Sequence, residues 1–265
     1  MNLFVKFFLV CTLILSTQQC ALISAAGFSS QGQPTKLVSE KLGSVNIEEQ
    51  IVDHSSWDIL LKKHVDDDGL VDYKGFQKDQ SQLREYLLKL SNTPPRESWP
   101  VEELLAYYIN TYNAYTVQLI LDNYPVQSIK DINGPWTRGI VPIGNKNLSL
   151  GGIENGILRK MNEPRIHFAI NCASFSCPKL LNEAFVPSRI EEQLERVTSE
   201  FINGDKNDLN PEQPELSSIF KWYQNDFVVN GKVDVIAYIN GYTDNTLEPG
   251  VSVSYKNYDW NLNEQ

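Results

Sequence analysis

The chain has 265 residues, 42% of them hydrophobic and 11% aromatic, and a formal net charge of -10 at pH 7. Acids spread along the whole chain exclude nucleic acid as a partner, because phosphate binding needs a clustered basic surface. The length and apolar share suit one large domain that buries a core without disulfide staples.

Lys6, the apolar run over residues 7–15 and Ser24-Ala25-Ala26 before Gly27 predict a cleaved signal peptide over residues 1–26, hence a secreted or periplasmic protein. A lipid anchor on Cys20 ranks lower, because Thr17-Gln18-Gln19 lacks the leucine and small residue that lipoprotein processing needs. No later segment approaches the roughly twenty apolar residues of a membrane span. Residues 27–50, rich in Ser, Gln and Gly, read as a flexible leader, and residues 51–265 as a single domain.

Ser55 or Ser56 is positioned to cap a helix running to Val65, and Leu83, Tyr86, Leu87 and Leu90 fall at helical spacing within a second helix over 76–90. Between them, Asp66, Asp68 and Asp72 around Gly69 resemble part of a calcium loop. That register puts His64 first and Gly75 last, where a bidentate Glu is required, so the segment reads as a solvated turn. His54 and His64 read as surface helix residues. Pro100 starts the longest helix, 101–123, in which Asn110 and Asn113 share a stripe with Ala106, Val117 and Leu121. Two carboxamides on an apolar face answer to polar partners, either loop backbone or a ligand in a pocket.

A β-hairpin follows, 139–143 with 147–150, turning at Gly144-Asn145-Lys146. Next come a helix over 153–160 with Glu154 in its first turn, where the helix dipole favours an acid, and a strand over 165–172. An amphipathic helix over 187–203 leads to a strand at 215–218, helices over 219–225 and 232–240, and a last strand over 251–255. Interleaved helices with a hairpin predict an α+β domain whose mixed or antiparallel sheet is packed by several helices.

Residues 167–178, H-F-A-I-N-C-A-S-F-S-C-P, hold the two cysteines left after signal removal beside a histidine. Thiol catalysis needs a lowered thiol pKa and an imidazole to shuttle the proton. The inventory permits Cys172 as nucleophile, His167 as base and Glu154 as the acid that orients it. In a straight strand His167 and Cys172 lie on opposite faces, roughly 16 Å apart at about 3.3 Å per residue, so direct pairing requires a bulge or turn. Cys177 is then the substitute nucleophile. Two alternatives stand beside this: a structural Cys172–Cys177 disulfide, reasonable for an exported protein, and a non-catalytic binding module lined by Asn110, Asn113 and aromatics. One His and two Cys fall short of a structural zinc set, so no metal or other cofactor is expected.

The segments G-L-V-D-Y (69–73), A-Y-Y-I-N-T-Y-N-A (106–114), L-S-L-G-G-I-E-N-G-I-L-R (148–159), R-I-H-F-A-I-N-C-A-S-F-S-C-P (165–178), L-S-S-I-F-K-W-Y-Q-N-D-F (216–227) and Y-K-N-Y-D-W-N-L-N (255–263) resemble the successive blocks of the uncharacterised domain family DUF 547. Tyr108 departs from that pattern, which often has Trp there. The resemblance implies a cysteine-dependent hydrolase of peptidase or amidase type, distantly similar to papain-like and transglutaminase-like folds. Its substrate would be a small molecule or short peptide.

Overall fold

The computed structural model describes residues 29–38, 42–43 and 50–265. The signal segment expected at 1–26, with Cys20, lies outside the described residues, as does much of the expected leader. The part of the leader that is described docks on the body. Val38 N–H donates to Met161 O at 2.7 Å, Tyr108 OH donates to Pro34 O at 3.0 Å, and Val38 and Leu42 are buried. Gly156 makes room for it, since a Cβ there would meet the backbone of Ser29 at 2.7 Å. A polar composition concealed three apolar anchors, Pro34, Val38 and Leu42, which suffice to hold a short extended segment.

Helix α1 (Ser55–His64) begins without a side-chain cap, His54 standing at its N-cap. The second predicted helix is two, α2 (Tyr73–Lys78) and α3 (Gln80–Asn92), broken at Asp79. The acidic segment between α1 and α2 is a turn closed by its own carboxylates: Asp66 accepts the N–H of Asp68 and Leu70, and Asp72 caps α2 through Gly75 N–H. The organising element is α4 (Val101–Asn123), buried along nearly its whole length and packed by α2 and α3 on the N-terminal side of the chain. A helix apolar all round belongs in a core. Among the described residues no helix is long and apolar enough to cross a membrane.

The hairpin β1 (Val141–Ile143) and β2 (Lys146–Leu148) forms as expected, with Gly144 at φ 57 in the two-residue turn. Then α5 (Leu150–Gly156) starts three residues earlier than predicted, because Ser149 caps it by accepting Gly152 N–H. Glu154 therefore sits beyond the first turn, and the dipole account of it falls away. The predicted strand 165–172 is instead the short helix α6 (Ile166–Ala169) followed by extended chain. Ile166, His167 and Phe168 donate their N–H groups to the carbonyls of Glu163, Pro164 and Arg165. A short apolar run is compatible with buried helix or buried strand, and periodicity alone does not separate them.

Helix α7 (Ile190–Asn203) packs on α4 and α6. It is followed by β3 (Glu215–Leu216), α8 (Ser218–Trp222), β4 (Val228–Val229), β5 (Lys232–Val233), α9 (Val235–Asn240) and β6 (Ser254–Tyr255). The domain is α+β, but the expected single sheet is not formed. Among the described residues the strands make three separate two-stranded ribbons, β1–β2 and β4–β5 antiparallel and β3–β6 parallel. Strands of two or three residues cannot carry a layer, so the helices wrapped on α4 form the core.

Candidate active site

Six segments distant in sequence meet at one cavity of about 420 Å³: α4 at Tyr112, the loop at Trp136, α5, the turn from α6 through residue 178, the stretch 219–223, and the C-terminal tail. Glu154, His167, Cys172 and Cys177 all line it. The helix-to-extended turn at Ile170 replaces the straight strand, and with it the opposite-face objection to His167 and Cys172 disappears.

The turn is held by carboxamides. Asn113 Nδ2 donates to Ala169 O at 3.0 Å while its Oδ1 accepts Asn171 N–H at 2.8 Å. Asn171 in turn donates to Pro178 O and accepts Ala173 N–H. Asn110 makes the equivalent pair with both backbone groups of Phe185. Neither Asn110 nor Asn113 lines the cavity. They are backbone ties, which explains two poor helix formers in the middle of α4. Ala173, directly after Cys172, adopts φ 57, a conformation that costs a non-glycine residue about 1–2 kcal/mol. The C-terminal tail clamps the same loop: Phe175 N–H donates to Asn261 O and Asp259 N–H to Ser176 Oγ. That clamp carries Tyr258 and Trp260 to the cavity.

Both thiols are free. Cys172 N–H donates to Cys177 Sγ at 3.0 Å, and Cys172 Sγ lies 3.1 Å from Ser174 Oγ and 3.4 Å from Tyr258 OH. The Cys172 pKa is held below its ordinary value, first by a hydrogen bond from the Cys177 thiol and then, against burial, by the Ser174 and Tyr258 hydroxyls. Burial and the neighbouring sulfur push Cys177 up. Burial likewise raises Tyr258, so its hydroxyl remains a donor. Among the described residues no hydrogen bond joins Cys172 to His167. The groups that lower the thiol pKa are thus not the imidazole expected from the sequence.

His167 is anchored from the other side. Its Nε2–H donates to Asp226 Oδ2 at 2.8 Å, and its ring stacks on Tyr223 with centroids 4.0 Å apart. In the neutral tautomer this leaves the lone pair on Nδ1. Asp226 also accepts from Arg159 Nε and Nη2 at 2.6 and 2.9 Å. Burial opposes its charge, but the His167 and Arg159 hydrogen bonds outweigh burial and hold its pKa well below the usual carboxylate range.

The carboxylate that hydrogen-bonds His167 is therefore Asp226, and no hydrogen bond among the described residues joins Glu154 to His167. Glu154 accepts from Tyr112 OH at 3.3 Å and Tyr223 OH at 2.5 Å. Over these groups stands an aromatic mouth formed by Trp136, Trp222, Tyr258 and Trp260, with Trp222 and Tyr258 centroids 4.7 Å apart and Tyr258 and Trp260 4.5 Å apart. Gly151 brings Trp136 in: its N–H donates to Trp136 O at 2.9 Å, and a Cβ would approach that oxygen to 2.8 Å.

Sequence reasoning missed Asp226, Tyr223, Tyr258 and the three tryptophans as site residues. Except Trp136, all lie in the two C-terminal blocks, 216–227 and 255–263, where adjacent Trp and Tyr between polar residues were the available signal. The two remaining histidines are buried, not on the surface. His54, 1% exposed, meets Tyr86 OH through Nδ1 at 2.7 Å, and His64, 4% exposed, meets Asp79 through Nε2 at 2.7 Å.

In comparison with known proteins, the model of DUF547, described as a protein of unknown function, matches residues 96–202. The matched stretch contains Glu154, His167, Cys172 and Cys177 and ends before Tyr223, Asp226 and Tyr258. Neither a curated protein nor a solved structure matches the chain.

Proposed function

We propose that the protein is an exported thiol-dependent hydrolase that cleaves an amide or thioester bond in a small peptide-like substrate. The observation that carries this reading is the meeting, in one aromatic-rimmed cavity, of a thiol with a lowered pKa and an imidazole anchored by a carboxylate. His167 takes the Cys172 thiol proton as the sulfur attacks the substrate carbonyl, forming the C–S bond while the carbonyl π electrons move to oxygen. The Tyr258 hydroxyl, which lies beside the sulfur and lines the cavity, is the donor available to that oxyanion. The C–N or C–S bond to the leaving group then breaks as protonated His167 gives it a proton. His167 next takes a proton from water, which attacks the thioester, and Cys172 is released. Asp226 holds the ring and stabilises its cationic form throughout, the role a buried carboxylate plays in such triads.

The test is the pH dependence of Cys172 alkylation by iodoacetamide, read by peptide mass spectrometry. Cys172 should alkylate faster at neutral pH than an unperturbed peptide thiol, with its midpoint displaced to lower pH. A rate and midpoint equal to those of a free peptide thiol would remove thiol catalysis.

A further inference from the structure

Asp226 takes the position beside His167 that the sequence assigns to Glu154, and this leaves a carboxylate in the cavity without an imidazole to orient. Glu154 is 6% exposed, lines the cavity, and among the described residues is hydrogen-bonded there by two neutral phenols. Burial first, and then the Glu154 charge, pushes the Tyr223 hydroxyl well above its ordinary pKa. Arg159 reaches the same neighbourhood, its guanidinium 5.2 Å from the Tyr223 ring centroid, but hydrogen bonds Asp226 and Asn155 instead. Among the described residues no Lys or Arg lines the cavity. A carboxylate whose partners are all neutral retains acceptor capacity for a cationic donor. The mouth above it is aromatic, and aromatic faces attract both cations and apolar side chains.

The geometry points to a free primary ammonium as the group that Glu154 receives. This deepens, and rests on, the thiol-hydrolase reading: the substrate is an aminoacyl or N-terminal peptidyl compound whose α-ammonium docks on Glu154. Its apolar or aromatic side chain lies against Trp136, Trp222 and Trp260. An α-amine is two bonds from the carbonyl carbon, so docking it fixes that carbon relative to the thiol in the same cavity. Glu154 is then a specificity-determining residue and not the triad acid. An N-acylated substrate would leave the carboxylate facing a neutral amide.

The test separates this inference from the hydrolase reading by using a variant that cannot turn over. Calorimetry with Cys172→Ala measures the affinities of phenylalaninamide and N-acetylphenylalaninamide. The free amine should bind tighter by about ten- to a hundredfold, the range of a charge-assisted hydrogen bond. Adding Glu154→Gln should abolish that preference while leaving the weaker N-acetyl compound's affinity unchanged. Equal binding of the two compounds, a preference that survives Glu154→Gln, or binding of neither would overturn the inference. In parallel, wild-type protein is assayed with phenylalanyl and N-acetylphenylalanyl coumarinamides. Glu154→Gln should lower kcat/KM for the free amine and bring it to that of the N-acetyl compound. An amine preference in calorimetry with turnover that persists in Cys172→Ala would retain the inference and eliminate Cys172 as the nucleophile.

Discussion

Two imidazole–carboxylate pairs stand in this protein, and they are nearly the same bond. His64 meets Asp79 at 2.7 Å and His167 meets Asp226 at 2.8 Å, each through Nε2, and each carboxylate also pairs with a base, Lys63 or Arg159. Their surroundings differ. His64 closes the junction of α1 with α2 and α3, its ring 4.6 Å from Phe76, and lines neither of the two largest described cavities. His167 packs on Tyr223 and lines a cavity that also holds a thiol. An imidazole–carboxylate bond is therefore no catalytic signature. A reachable lone pair and a nucleophile in the same cavity distinguish a working pair from a structural tie.

Substitution of the nucleophile and base should separate the two regions most sharply. Cys172→Ala and His167→Ala are each expected to lower turnover of a free-amine substrate by about a thousandfold or more, because members of such a set act as a unit. His64→Ala should leave kcat of the folded protein unchanged and lower unfolding stability by about 2–4 kcal/mol through the cavity left beside Phe76 and the lost hydrogen bond to Asp79. Single-turnover kinetics with denaturant melts on the same preparations decides it, and a kcat loss in His64→Ala of the size seen in His167→Ala would erase the distinction.

The carboxylates should repeat the pattern at smaller amplitude. Asp226→Asn is expected to cost about a hundred- to ten-thousandfold in kcat, since the ring loses its anchor and its tautomer. Asp79→Asn should cost only stability, about 1–2 kcal/mol. An Asp226→Asn enzyme with wild-type kcat would show that the bond to His167 is a tie like its counterpart.

His54 offers a third buried imidazole without a carboxylate. Burial lowers its pKa from 6.5 to about 3. Its folded pKa lies below the unfolded value, so the unfolded chain takes up the proton first. Its contribution is fully present above about pH 6.5 and falls as pH drops toward 3, by at most about 1.4 kcal/mol per pH unit. Urea unfolding between pH 7 and pH 5 should show this loss in the wild type and a flatter profile in His54→Gln. Parallel profiles would count against the buried neutral imidazole.

The smallest effect concerns the second thiol. Cys177→Ala removes the neighbouring thiol that does most to lower the Cys172 pKa, so alkylation of Cys172 at neutral pH should slow as that pKa rises. Cys177→Ser, which restores a donor, should recover most of that rate. Unchanged alkylation in Cys177→Ala would leave the Ser174 and Tyr258 hydroxyls as the source of the shift.

What the sequence determined by itself was local. Pro100 followed by an unbroken helical run placed α4 at its observed bounds, Gly144-Asn145 placed the hairpin, and the spacing of Asn110 and Asn113 marked two polar groups in need of partners. The clustering of His167, Cys172 and Cys177 also marked where chemistry was to be sought. Each of these rests on neighbours within a turn or two of chain, which periodicity, turn chemistry and helix propensity register directly. Whether residues 166–169 coil or extend was not local, because a buried apolar run fits either backbone and the choice came from packing against α7. Nor was the partner of His167. Asp226 lies 59 residues away, Tyr258 lies 86 residues from Cys172, and the tail reaches the loop only by pairing with its backbone. Tertiary structure alone decided that Asp226 anchors the imidazole and that Glu154 faces the cavity between the Tyr112 and Tyr223 hydroxyls, since side-chain partners across such separations are set by how the helices wrap α4 and leave no trace in sequence spacing.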